Sequence, residues 1–239
     1  TTGPLKLTTA EADSIPPYMI VDKPMQLGVG DLRWVLDPAK MTPDGNGHGL
    51  LQRADIFVLR IIADSWPNRP IYFSRTSGGY ARELGFGDNV LTQGLASKVI
   101  VMPKESKGDT LYVQTDGWID IKRTQALWTD VFKAPKSLIR RGDWIDQPSI
   151  GIPYLYVATG LELAEALRDK DPLLSRVIVN ETRSVAKAMR LDAAVEGVDK
   201  YFPAESLPAA DSARGRVLPG AVKAPPAIKA SERPATKRP

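Results

Sequence analysis

The chain has 239 residues, 43% of them hydrophobic and 25% charged, which is the composition of a folded domain with appendages. It contains no cysteine, so disulfides and thiolate metal sites are excluded, while the compartment stays open. The net charge of +4 lies in the C-terminal tail: residues 203–239 hold seven Lys/Arg and three Asp/Glu, and residues 1–202 carry 25 of each sign. A neutral body argues against a nucleic-acid-binding fold, which would carry a basic stripe on the domain itself. The longest apolar run, Ala54 to Ala63, is broken by Arg60 and falls far short of a membrane span. Thr1-Thr2-Gly3-Pro4 has neither the basic start nor the apolar run of a signal peptide, so the expectation is a mature chain or a piece of a longer one.

Residues 1–17, with Pro4, Pro16 and Pro17, predict an extended arm. Tyr18 to Val21 predicts a strand closed by Asp22-Lys23-Pro24, and the alternation of Leu32, Trp34 and Leu36 predicts another. A loop rich in Gly and Pro spans Pro38 to Gly49. From Leu50, apolar residues at Leu51, Ala54, Phe57, Val58, Ile61 and Ile62 predict one face of a helix that Trp66-Pro67 stops. Ile71 to Phe73 then reads as a short buried strand. Asp88 is expected to cap a second helix carrying Val90, Leu91, Leu95 and Val99, with Gly94 allowing close approach to the sheet. A helix between two apolar strands implies a right-handed crossover, with Ile71–Phe73 parallel to Val99–Met102. The expected core is Phe57, Ile61, Tyr72, Phe73, Leu91 and Leu95.

Lys98–Met102 and Thr110–Thr115 predict a hairpin about the polar loop Lys104 to Asp109. A helix is expected from Ile119 to Phe132, then a loop holding Lys133, Lys136, Arg140, Arg141 and Trp144. Tyr154–Asp169 and Pro172–Leu191 predict two helices joined so tightly that they pack antiparallel. A further short helix to about Tyr201 follows. From Pro203 the chain has seven Pro and nine Ala with few large apolar groups, too little to build a core. The fold class is therefore α/β, of mixed α+β kind: a small mixed sheet with flanking helices, then an α-helical hairpin and an extended tail. The expected units are an arm (1–17), a body (18–150), the hairpin packed on it (151–202) and the tail (203–239).

No residue pattern assigns a catalytic, cofactor-binding or metal-ligating role. The single histidine, His48, would have to serve any Ser–His–acid triad, and no G-x-S-x-G elbow accompanies it. Asp44, Asn46, His48, Gly49 and Asp55 match a calcium loop in part, but His at the fifth position and Asp at the last depart from it. An ordinary turn before a helix is the simpler reading. Arg75, Thr76, Ser77, Gly78 and Gly79 follow a strand end, where amides and an arginine can hold a phosphate or carboxylate. A Walker lysine and a dinucleotide fingerprint are both absent, so a turn that needs glycine competes with that reading. Arg69 is expected to cap the helix before it or to pair with Asp64. Glu162 and Glu165 share one helix face, expected to be solvated. Most of the five tryptophans are expected in core or rim packing, and the remainder could line a sugar or partner site.

The stretch Arg69-Pro70-Ile71-Tyr72-Phe73-Ser74 behind Trp66, together with Leu84-Gly85-Phe86-Gly87 and Gly94-Leu95-Ala96, resembles a bacterial membrane-protein family. That family is domain of unknown function 2723, and the similarity is to its C-terminal soluble part. Its members are similar to GT-C glycosyltransferases and protein O-mannosyltransferases. The likeness is sharpest over residues 50–102 and extends more weakly to about residue 192. It implies an extracytoplasmic location. It also implies that catalytic carboxylates belong to a membrane half that this sequence does not contain, so no catalytic residue carries over.

Two functions follow as expectations. One is a non-catalytic periplasmic module without cofactors, docked on a membrane complex such as a respiratory or photosynthetic one. Its tail residues Arg214, Arg216, Leu218, Lys223, Ile228, Lys229, Arg233, Lys237 and Arg238 would engage protein subunits or anionic lipid headgroups, with help from the N-terminal arm. Nucleic acid is not an expected partner. The other is the substrate- or acceptor-binding domain of a GT-C-type glycosyltransferase, gripping lipid-linked sugar through Trp and Arg side chains.

Overall fold

A computed structural model of the chain describes residues 7–101, 108–113, 117–143 and 146–202. The expected Lys104–Asp109 loop in large part, Trp144 and the whole tail lie outside the described residues. What remains is mixed α/β, as the sequence predicts. The described residues belong to one compact unit.

The arm is not extended throughout. Thr9–Ser14 forms a short helix, α1, because Thr8 and Glu11 cap it reciprocally: the Glu11 amide donates to Thr8 Oγ1 at 3.2 Å, and the Thr8 amide to Glu11 at 2.8 Å. Strand β1 (Tyr18–Val21) pairs antiparallel with β4 (Gly49–Gln52), and β2 (Met25–Val29) forms a hairpin with β3 (Leu32–Leu36). Leu32, Trp34 and Leu36 are buried and Arg33 and Val35 exposed, the alternation legible in the letters. The helix expected from Leu50 begins later. Leu50 and Leu51 are taken by β4, and α2 spans Arg53–Ser65, its start set by Asp55 accepting from the Gln52 amide at 2.8 Å.

Five strands form the main sheet in the order β5–β7–β6–β9–β8. They are β5 (Tyr72–Ser74), β6 (Val90–Gln93), β7 (Ala96–Val99), β8 (Thr110–Val113) and β9 (Gly117–Asp120). The helix expected after Asp88 is instead the β6–β7 hairpin, turned by Gly94-Leu95 with Gly94 at φ +64°. Val90, Leu91, Leu95 and Val99 have helical spacing, but pairing with the flanking strands wins. β5 and β7 are neighbours, yet antiparallel (Tyr72 opposite Lys98), so the expected parallel pair does not form there. Among the described residues the one parallel pair joins β6 to β9. β8 pairs with β9 rather than with Lys98–Met102, so that expected hairpin is also replaced.

The core differs from expectation in detail. Phe73 is buried, but Tyr72 is 50% exposed, because alternation along β5 sends the neighbours of Phe73 outward. Phe57, Ile61, Leu91 and Leu95 are only half-buried. The central residues of the first cluster are Leu32, Trp34, Leu36, Ile62, Leu84, which follows the short helix α3 (Tyr80–Glu83), and Phe86. Ile119 is on β9, so the helix expected there starts at Ile121 as α4 (Ile121–Ala126) and runs into a single π-turn, Leu127–Val131. The expected loop beyond it contains a helix, α5 (Ala134–Arg141).

Helices α6 (Gly151–Leu167) and α7 (Pro172–Ala188) form the expected antiparallel hairpin. Ser175 donates to the Ala164 carbonyl at 2.6 Å near the bend, while Gly160 meets Thr182 further along. Pro172 in the first turn and Asp171, accepting from the Leu174 amide at 3.0 Å, start α7. α8 (Val198–Tyr201) closes the unit, where buried Arg176 donates to the Phe202 carbonyl.

Candidate functional site

Two clefts flank the turn between β5 and β6. The first is built on the loop that follows β5. Ser74 ends the strand and organises the turn: its hydroxyl accepts from the Thr76 amide at 3.3 Å, and Ser77 Oγ donates to the Ser74 carbonyl at 2.6 Å. The Arg75 amide donates to Leu95 at 3.0 Å and the Gly78 amide to Arg75 at 3.1 Å. The loop's amides at these positions therefore complete its own turn. Arg75 points back over the sheet and donates through both terminal nitrogens to the two carboxylate oxygens of Glu162 on α6. The side chains are only 15% and 10% exposed.

This corrects the expectation for Glu162, whose side chain is buried while Glu165 one turn on is exposed. A carboxylate is tolerated there because a guanidinium matches it in a two-point bond. The carboxylate held by the Ser74–Gly79 loop is thus one the chain supplies. Around this pair lies a cavity of about 580 Å³, lined also by Ser74, Ser77, Arg82, Tyr154 and Glu165.

The second cleft, about 770 Å³, opens between the β2–β3 hairpin, the Gly85–Asn89 turn and the β8–β9 end. Arg33, Lys40 and Arg82 bring positive charge to it, and Asp37 and Asp88 negative charge. Trp34 forms part of its wall, stacked on Phe86 with ring centroids 4.7 Å apart. Gly85 makes that stack reachable. It has φ +83°, and a Cβ there would lie 2.1 Å from the Val35 carbonyl oxygen, so only glycine lets the turn close on β3. The Leu84-Gly85-Phe86-Gly87 segment is therefore a packing device: Leu84 and Phe86 are fully buried on either side. Tyr112, across the cleft, donates to Asp88 at 3.1 Å.

The remaining candidates are placed as follows. His48 Nδ1 meets Asp44 Oδ2 at 3.1 Å, and Asp44 Oδ1 accepts from the Asn46 and His48 amides at 2.8 Å each. Asp55 instead faces α2's first turn and accepts from the Tyr80 hydroxyl at 2.7 Å. Burial, and after it this bond to Asp55, push the Tyr80 phenol well above its usual range. Among the described residues no group of three His, Asp or Glu converges as metal ligands would. The Arg69 amide donates to the Ser65 carbonyl at 2.9 Å, at the end of α2. Trp34, Trp118 and Trp128 are buried. Trp66 donates to Asp31 at 2.8 Å and Trp128 to Glu181 at 3.0 Å.

Sequence reasoning missed the role of Glu162 and the whole second cleft. The first leaves no local trace, since its partner is 87 residues away. Arg33, Lys40 and Arg82 are likewise scattered and meet only through the fold. Compared with family models, curated proteins and solved structures, the chain matches none.

Proposed function

We propose that this chain is a non-catalytic interaction module on the periplasmic face of a membrane protein assembly, related to the soluble part of the domain of unknown function 2723 proteins. The observation that carries the proposal is on β1. Tyr18, Met19 and Ile20 are successive apolar residues and are 56%, 40% and 53% exposed. Strand alternation sends them to both faces of a two-stranded ribbon, which is a surface suited to being covered by another protein. Among the described residues no helix is long and apolar enough to cross a membrane. The tail, residues 203–239, adds anchors of a second kind: Leu207, Val217, Leu218, Val222 and Ile228 for shallow grooves, and seven cations for an acidic face or anionic headgroups. Its prolines lower the entropy lost when such a segment is fixed on a partner.

The test is isolation of the assembly from native membranes in mild detergent, with the chain's stoichiometry measured by mass spectrometry. A fixed ratio to other subunits, lost with Tyr18→Ser/Ile20→Ser or with deletion of residues 203–239, supports the proposal. Deletion of the tail is expected to leave the melting temperature of the body nearly unchanged. A body that melts on tail deletion, with association intact, would sink it.

A second reading is favoured by the 770 Å³ cleft, whose mixture of Arg33, Arg82, Lys40 and Tyr112 suits a polar, sugar-like or phosphorylated ligand. On that reading the chain is the substrate- or acceptor-binding domain of a GT-C-type transferase. Saturable binding of a lipid-linked sugar, abolished by Arg33→Ala/Arg82→Ala, would favour it over the first.

A further inference from the structure

We propose that the outer face of α5 is a docking surface for an anionic lipid bilayer. The helix buries Pro135 and half-buries Ala134 and Leu138, which sets its inner side. Lys133, Lys136 and Arg140 stand at i, i+3 and i+7 and are exposed on the opposite side, with exposed Arg141 on one flank. Among the described residues these four side chains make no hydrogen bond or ion pair. The nearby carboxylates are differently engaged or set apart. Asp143 meets Arg190 at 3.2 Å, Asp146 accepts from the Ser149 amide at 2.8 Å, and Asp130 lies on the π-turn before the helix. The result is a local cationic surface on a body whose total charge is zero.

Apolar groups surround these cations. Ile139 is 36% exposed on the other flank, Val131 58% and Ile152 56%. Between α5 and the first turn of α6 lies a cavity of about 480 Å³ walled by Ala134, Leu138, Ile152 and Pro153, with Arg140 and Arg141 also lining it. An acidic protein face would neutralise the cations but bring its own polar groups against this cavity. A bilayer serves both: guanidinium and ammonium groups meet phosphates, their stems lie along the surface, and the apolar tips reach the acyl boundary. α5 is short, so the attachment is shallow and reversible.

This inference rests on the reading of the chain as a module at a membrane surface, but not on the tail or on any protein partner. Co-purification tests that reading; vesicle binding tests this face. The full chain is sedimented with vesicles of equal parts phosphatidylglycerol and phosphatidylcholine, and with phosphatidylcholine alone. Each Lys or Arg near an anionic leaflet strengthens binding about fivefold, so Lys136→Ala/Arg140→Ala/Arg141→Ala should weaken binding on the order of 100-fold. Changing the seven tail cations to glutamine should leave an α5-dependent share of the binding. A second readout serves even if the triple variant does not fold. Since the chain has no cysteine, Ile139→Cys can be labelled singly with an environment-sensitive dye, which should shift to the blue on anionic vesicles. The same dye on Ser77→Cys should not. Binding unchanged in the triple variant, equal binding to neutral vesicles, or no shift at Ile139 overturns the proposal. So does binding that vanishes entirely with the tail cations.

Discussion

Glu162→Ala leaves Arg75 charged, largely buried and without the carboxylate that meets both its terminal nitrogens. Removing one member of a buried pair costs about 3–5 kcal/mol, because the survivor keeps its desolvation penalty and loses its partner. The side chains are 15% and 10% exposed, so some water reaches them and the low end, about 3 kcal/mol, applies. In a body of this size that is a drop in melting temperature of roughly 6–12 °C. Arg75→Met should cost a similar amount. The double variant Arg75→Met/Glu162→Leu removes both charges and should be much less harmful than the two single effects added together. Urea unfolding followed by tryptophan fluorescence, run on all four chains, closes the cycle. A neutral Glu162→Ala would show that the pair is solvated in solution. A double variant as damaged as the sum would show that the two groups do not act on each other. Either result refutes the view that this pair fastens the β5 loop to α6.

Phe73→Ala should cost about 3–5 kcal/mol in the same unfolding assay, while Phe57→Ala, half-buried on α2, should cost clearly less; equal costs would mean the burial difference is wrong. Gly160→Ala would put a Cβ 2.1 Å from Thr182 Oγ1 and 2.7 Å from Trp128 Cη2, so about 1–3 kcal/mol should be lost, with partial recovery when Thr182→Ala is added. The folded chain holds the Tyr80 proton to higher pH than the unfolded chain does. That contribution is complete below the unfolded value, about pH 10, and is lost as pH rises through the folded one. Stability should therefore fall on the alkaline side, and Tyr80→Phe should flatten the fall; an unchanged profile would rule Tyr80 out as its source.

Local pattern was enough for elements whose information is local. Leu32, Trp34 and Leu36 announce a strand by alternation, and α6 and α7 announce themselves by long apolar periodicity with a connection too short for anything but a hairpin. The Thr8–Glu11 capping signal was equally local and marks α1 within a stretch otherwise read as extended. The spacing of Lys133, Lys136 and Arg140 is likewise a helix period inside what reads by composition as a loop.

What only the tertiary structure decided are the choices among partners. Val90 to Val99 satisfies helical spacing and strand propensity together. It becomes a hairpin because β5 and β9 stand ready to bond its backbone on either side. Tyr72 and Phe73 are equally apolar in the letters; alternation sends them to opposite faces of β5, and only the tertiary structure decides which face meets the core. Glu162 and Glu165 are chemically alike and share a helix face. One is buried because an arginine from a loop 87 residues earlier is brought to it, and the other stays exposed to water. Periodicity encodes which face of an element is apolar; it carries no record of which distant backbone edge or counter-charge will meet that face.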